Sequence, residues 1–165
     1  MDAPEIRTER LKTRPWTEDD AGWYVDAIDS EILRWTREPG DLTPDTWRRC
    51  LADSTDGRSR SDAITVGDQP VGNVSVMQRR DSAEISYWLA ADARGNGYAS
   101  EVLLAVGDWA SESLDIDYTY LEISPENAPS IAVAQRCGYS LFGYQLSDDD
   151  CADDLGRVAV YRKPA

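Results

Sequence analysis

The chain has 165 residues, 41% of them hydrophobic, and its 31 acidic against 17 basic side chains give a net charge of −14. Such acidity argues against nucleic acid as a general partner, because gripping phosphates takes a basic surface. The complete lack of histidine excludes Ser-His-Asp and Cys-His catalysis, along with the usual zinc sites.

In chain order, Met1-Asp2-Ala3-Pro4-Glu5 has neither the basic nor the apolar region of a secretion signal. No apolar run approaches the ~20 residues of a membrane span. The expectation is a cytoplasmic protein with no membrane partner, folded as a single domain over 1–165. Residues 5–14 alternate and predict a first strand. Thr17-Glu18-Asp19-Asp20 predicts a loose capping box on a helix reaching about Ile28. Residues 30–42 read as irregular. Thr43-Pro44-Asp45 opens a second helix, with proline in its first turn and Trp47 and Leu51 along it. Residues 53–61 read as a polar loop. The runs 63–66 and 71–78, joined through Gly67-Asp68-Gln69-Pro70, predict a hairpin, and 83–90 adds a strand. After the turn Arg94-Gly95-Asn96-Gly97-Tyr98-Ala99, the residues Val102, Leu103, Ala105, Val106, Trp109 and Ala110 recur near the helical period. A strand at 118–123, a turn at 124–130 and a helix over 131–137 follow, with Gly138 closing the helix. Strands at 139–146 and 157–162 then flank the acidic loop Asp148-Asp149-Asp150-Cys151-Ala152-Asp153-Asp154. The order β-αα-βββ-α-β-α-ββ predicts an α/β fold with a mixed, mostly antiparallel sheet flanked by helices.

The turn at 94–99 carries the first chemical signal. It joins a strand to a helix N-terminus, where backbone N–H groups are free and the helix dipole is positive. Gly95 and Gly97 would let the backbone approach a phosphate closely, and Arg94 would add charge, so the pattern points to a pyrophosphate. Glycines in such a place also serve turns alone. The dinucleotide pattern G-x-G-x-x-G is broken by Ser100, and the G-K-[ST] end of a P-loop is missing. Cys50, Cys137 and Cys151 lack metal-ligand spacing, so no metal is expected, and Cys137 reads as a buried thiol.

Two segments in order carry a family resemblance. Arg94-x-x-Gly97-x-Ala99 is similar to the R/Q-x-x-G-x-G/A motif of the GNAT N-acyltransferase superfamily. Asn127-x-x-Ser130 followed by Gly138-Tyr139 is similar to its N-x-x-S and G-F/Y elements. Within the superfamily, Glu84 to Leu89, Pro125 to Ser130 and the opening Thr8 to Trp16 resemble the ribosomal-protein alanine acetyltransferase branch. The resemblance covers 80–144 well and 5–30 loosely.

That resemblance implies the GNAT fold and an acetyl-CoA or other acyl-CoA donor. The strands at 83–90 and 118–124 would splay apart and admit pantetheine. Trp88, Leu89 and Ala90 would offer it backbone bonds, and Arg94, Gly95, Asn96, Gly97, Tyr98 and Ala99 would take the pyrophosphate. The tyrosine that many members use as the acid is replaced by Ala134. In its place Ser130 would protonate the leaving thiolate; the other job open to it is helix capping. Asn127 would bond the cofactor or shape the turn. Glu84 would act as base through water, or stand as an exposed strand-end charge. Tyr87 would line the site or pack in the core. The expected reaction is direct attack of a primary amine on the thioester. The acceptor would be a small molecule or a peptide, with a cationic one favoured if the acidic loop draws it in. A non-catalytic acyl-CoA-binding or sensing module, and an enzyme taking its acyl group from an acyl carrier protein, stay open. So does the choice between monomer and homodimer.

Overall fold

The computed structural model describes residues 5–53, 57–146 and 157–165. The acidic loop at 148–154 lies outside the described residues. Seven strands form one sheet: β1 Lys12–Pro15, β2 Ser59–Val66, β3 Gln69–Gln78, β4 Ser82–Leu89, β5 Tyr118–Ile123, β6 Ser140–Leu146 and β7 Arg157–Pro164. Their spatial order is β1-β2-β3-β4-β5-β7-β6, and only the β4–β5 contact is parallel. The helices are α1 Ala21–Ala27, α2 Ser30–Trp35, α3 Pro44–Asp53, α4 Tyr98–Ser113 and α5 Ala128–Arg136. Among the described residues no helix is long and apolar enough to cross a membrane.

Helices cover both faces of the sheet. On one face Leu11, Ile64, Val74, Ile85 and Leu89 pack with Val102, Leu103 and Val106 of α4 and Ala134 of α5. On the other, Trp16, Tyr24, Trp47 and Trp88 join Ile32 and Ala63 in a second core under α1 to α3. Strand alternation makes this division: Ile85, Tyr87 and Leu89 face α4 and α5, while Glu84, Ser86 and Trp88 face the opposite way. The polar tip of Trp16 is satisfied where it is buried, its Nε1 donating to Asn73 Oδ1 at 2.9 Å.

The predicted element order holds with one addition, and several boundaries move. Residues 30–42 are not wholly irregular, because Ser30 to Trp35 form α2. The Asp29 side chain caps it, accepting from the Ile32 N–H at 2.9 Å. Six residues with one buried apolar side chain, Ile32, show no period to read. The strand predicted at 5–14 is confined to Lys12–Pro15. Upstream the chain curls, with the Thr8 N–H donating to the Leu11 carbonyl at 2.9 Å. The polar run before residue 63 already belongs to β2, since Asp62 is buried against Arg60. Helix α5 starts at Ala128 rather than 131. Strand β4 ends at Leu89 rather than 90. The capping expected at Thr17 is present: Asp20 accepts from the Thr17 N–H at 2.9 Å and its hydroxyl at 2.8 Å, ahead of a single 3-10 turn and α1.

Candidate active site

The strands β4 and β5 pair over only three positions, Ser82↔Tyr118, Ala83↔Thr119 and Glu84↔Tyr120. Beyond Glu84 they part, and a cavity of about 560 Å³ opens between them. Its walls come from β4, β5, the start of α5, the glycine turn, and α2 with the segment after it. Of the sequence-predicted residues, Glu84, Trp88, Leu89, Arg94, Gly95, Ala99, Asn127 and Ser130 line it. Ala90, Asn96, Gly97 and Tyr98 stand outside its wall.

Backbone geometry separates Leu89 from its neighbours. The Ala90 N–H already donates to the Val71 carbonyl at 2.9 Å, so Ala90 cannot offer that donor to a ligand. In an antiparallel pair the bonding direction alternates from residue to residue. Trp88 therefore turns its backbone toward β3, opposite Asn73. Leu89 turns its backbone into the gap. The expected set of three backbone partners narrows to Leu89.

Arg94 also differs from expectation. Its Nη1 and Nη2 grip both oxygens of Asp29 at 2.9 Å each, and its Nε donates to the Leu89 carbonyl at 3.0 Å. The paired guanidinium holds the Asp29 carboxyl below its ordinary range. These bonds commit three of the five N–H groups of the guanidinium. The partner was hidden in the sequence because residues 30–42 showed no helix for Asp29 to cap.

The turn itself has the expected form. Gly95 and Gly97 have φ of 78° and 80°, the left-handed region that glycine enters without strain. Asn96 holds the turn from within, its Nδ2 donating to the carbonyls of Ala93 and Arg94. Gly97 is the residue before α4, and Tyr98 is the first of the helix. Arg10, absent from the sequence-predicted site, lies over this end. Its Nη1 donates to the Asn96 carbonyl at 3.0 Å, its Nε donates to Glu101 at 2.8 Å, and its guanidinium sits 4.9 Å from the Tyr98 ring centroid. Arg136 approaches the same helix end, Nη1 donating to Ser100 Oγ at 3.0 Å.

On the α5 side, Asn127 is the helix cap, its Oδ1 accepting from the Ser130 N–H at 3.1 Å. Ser130 is thus not the cap, and its hydroxyl lies 3.3 Å from the Tyr87 hydroxyl. Burial pushes the Tyr87 phenol up from its ordinary value, with the Ser130 hydrogen bond opposing. Ala134, where the expected tyrosine would stand, is fully buried in the core.

The opposite wall is acidic. Glu31, Glu38, Glu84 and Glu122 line it, with Arg37 among them. Arg37 Nη2 donates to Glu122 at 2.9 Å and its Nη1 lies 3.6 Å from Glu84. Glu84 is further approached by Arg79 at 3.8 Å and accepts from the Tyr120 hydroxyl at 3.4 Å. It is therefore not the free strand-end charge of the alternative view. Glu38 accepts from the Tyr24 hydroxyl at 2.6 Å and from Trp88 Nε1 at 2.9 Å, both on Oε1.

The family model for an acetyltransferase (GNAT) domain matches residues 10–140. The chain belongs to the GNAT acetyltransferase family. Membership makes it an acyltransferase, and the mixed sheet parted between β4 and β5 is the fold expected of it. Three solved structures show the same GNAT fold at low identity. Mycobacterium smegmatis RimJ in complex with CoA-disulfide is 21% identical, with a TM-score of 0.82 over 94% of this chain and 82% of that one. The Salmonella typhimurium acetyltransferase that modifies the N-terminal serine of ribosomal protein L7/L12 is 18% identical, with a TM-score of 0.84 over 98% and 99%. Vibrio cholerae spermidine N-acetyltransferase in complex with CoA and spermine is 16% identical, with a TM-score of 0.82 over 95% and 96%. Comparison with curated proteins by sequence gives no match.

Proposed function

We propose that this GNAT protein moves an acetyl or other small acyl group from an acyl-CoA thioester to a primary amine by direct attack. One observation carries the reading. The parting of β4 from β5 leaves the Leu89 backbone facing an open gap, close before the glycine turn that opens α4. A pantetheine arm in that gap would pair with Leu89 as an added strand. The Leu89 N–H would also suit the oxyanion of a tetrahedral intermediate. The first N–H groups of α4 suit a pyrophosphate. Arg136 brings positive charge to that helix end, where Arg10 is paired with Glu101, and the Arg136 charge favours the nucleotide of CoA over a carrier-bound donor.

Ser130 suits return of a proton to the leaving thiolate, with the Tyr87 hydroxyl behind it as a relay. The acidic wall favours a cationic acceptor. The structural neighbours named for a ribosomal-protein N-terminus and for spermidine support a peptide α-amine or a polyamine. Two measurements test the reading. Thiol release from acetyl-CoA across a panel of amines tests transfer; CoA binding without thiol release would leave a binding module. Gly97→Val should raise the acetyl-CoA dissociation constant at least about tenfold, or ~1.4 kcal/mol. Unchanged affinity in a folded Gly97→Val protein removes the turn from the donor site.

A further inference from the structure

Glu38 is a carboxylate fixed on one oxygen and open on the other. Its Oε1 takes both hydrogen bonds, from Tyr24 and Trp88, and among the described residues nothing bonds its Oε2. The side chain lines the cavity between β4 and β5 on the face away from α5. Trp88, its partner, is the residue before Leu89, whose backbone faces the gap. Glu84 lies on the same face but five residues before Leu89. At about 3.3 Å per residue that puts its Cα roughly 16 Å along the strand from that of Leu89. Glu84 is also crossed by Arg37, Arg79 and Tyr120.

We propose that Glu38, and not Glu84, is the carboxylate that receives the acceptor amine and takes its proton. This assignment rests on the acyl-transfer reading of the same cavity. An acceptor arrives as an ammonium ion and gives one proton to Oε2 of Glu38. The freed nitrogen attacks the thioester carbonyl. A C–N bond forms, the C–S bond breaks, and its electron pair leaves on sulfur. The nitrogen loses its second proton as the thiolate gains one. The proton held by Glu38 returns to solvent, so one proton is released per turnover.

Tyr24 is a positioning residue. Burial, then the charge of Glu38, push its phenol far above the ordinary range, so it stays a donor to Oε1 at every working pH. The other charged groups that line the cavity with Glu38 are Glu31, Arg37, Glu84, Arg94 and Glu122.

The test uses Glu38→Gln in the full chain. Glutamine keeps an oxygen for Tyr24 and Trp88 and removes only the charge and the basicity. With the best amine of the panel, kcat/KM should fall about 10²-fold or more and its acidic limb should disappear. The acetyl-CoA dissociation constant should hold. Tyr24→Phe should lower kcat/KM several-fold, with the acetyl-CoA dissociation constant unchanged, and move the acidic limb to higher pH, because the carboxylate loses a donor. A merely structural tyrosine would leave that limb in place. Wild-type kcat/KM with an intact limb in Glu38→Gln, or an unmoved limb in Tyr24→Phe, overturns the assignment while the acyl-transfer reading stands. Absence of thiol release from wild-type protein with every amine overturns both.

Discussion

Gly72 sits on β3 opposite Leu89 of β4. A Cβ built there would lie 2.2 Å from the Trp88 carbonyl oxygen, 2.9 Å from Leu89 Cδ2 and 3.1 Å from Leu89 Cα. Carbon and oxygen approach without strain to about 3.3 Å, so Gly72→Ala is short by about 1 Å. The nearest obstacle is backbone, which cannot rotate away. The end of β4 must therefore move, or β3 must. Forcing an extra methyl into such a place costs about 1–3 kcal/mol. For a chain of this length that lowers the melting temperature by roughly 2–12 °C. The shift also carries the Leu89 N–H off its line, and a displacement of ~1 Å at a reacting centre costs about 10²-fold in rate. Thermal melting by circular dichroism and thiol release with the best amine measure the two effects. Gly22→Ala is the control. Gly22 is in α1 and its added Cβ meets nothing within 4 Å, so melting and rate should hold or melting should rise slightly. A Gly72→Ala protein with the melting temperature and turnover of wild type would refute both the close approach and the role given to the end of β4.

Ser130→Ala should lower kcat by roughly 10²-fold with acetyl-CoA affinity close to wild type. Stability should change little, because Asn127 and not Ser130 caps α5; a large drop in melting temperature with unchanged kcat refutes the proton role. Asp20 supplies a stability prediction. Hydrogen bonds from Arg14, opposed by burial and reinforced by the Thr17 N–H and hydroxyl, lower its carboxyl from 3.8 to about 2. A lowered folded-state value means the stabilisation is complete above about pH 4 and is lost as pH falls toward 2. Asp20→Asn should thus cost roughly 1–2 kcal/mol at pH 7, allowing for solvent screening of the pair. The gap between variant and wild type in urea melts should narrow from pH 4 to pH 2, and a gap independent of pH refutes the linkage.

The parts legible in the sequence share one property: their signal is local. The glycines of the turn, the asparagine three residues before a serine, and the alternation of Glu84 to Leu89 each declare themselves within a few positions. The α4 period is equally local. The acidic wall was not legible, because its residues meet only through the tertiary fold. Glu38 lies between a six-residue helix and Pro39-Gly40, where no period marks it, and its partners Tyr24 and Trp88 are 14 and 50 residues away. Arg10 was missed for the same reason, being 91 residues from Glu101. The narrowing from three backbone partners to Leu89 depended on strand register, which fixes bonding direction and which no single segment carries.

Arg94 joins the two kinds of signal. The sequence marked it as a phosphate contact, and in the fold it lines the cavity with its guanidinium paired to Asp29. It also has a geometric role. When β5 departs after Tyr120, the outward backbone groups of β4 lose the strand that would have paired them. A strand edge left so inside a protein is costly, because an unpaired buried carbonyl or N–H forfeits about 1–3 kcal/mol. Arg94 Nε supplies the hydrogen bond that β5 withholds from the Leu89 carbonyl. Asp29 holds the guanidinium flat for that purpose while capping α2. One half of the Leu89 backbone is thereby bonded, and the strand register turns the N–H half toward the gap. At this edge an arginine stands in for part of the missing strand.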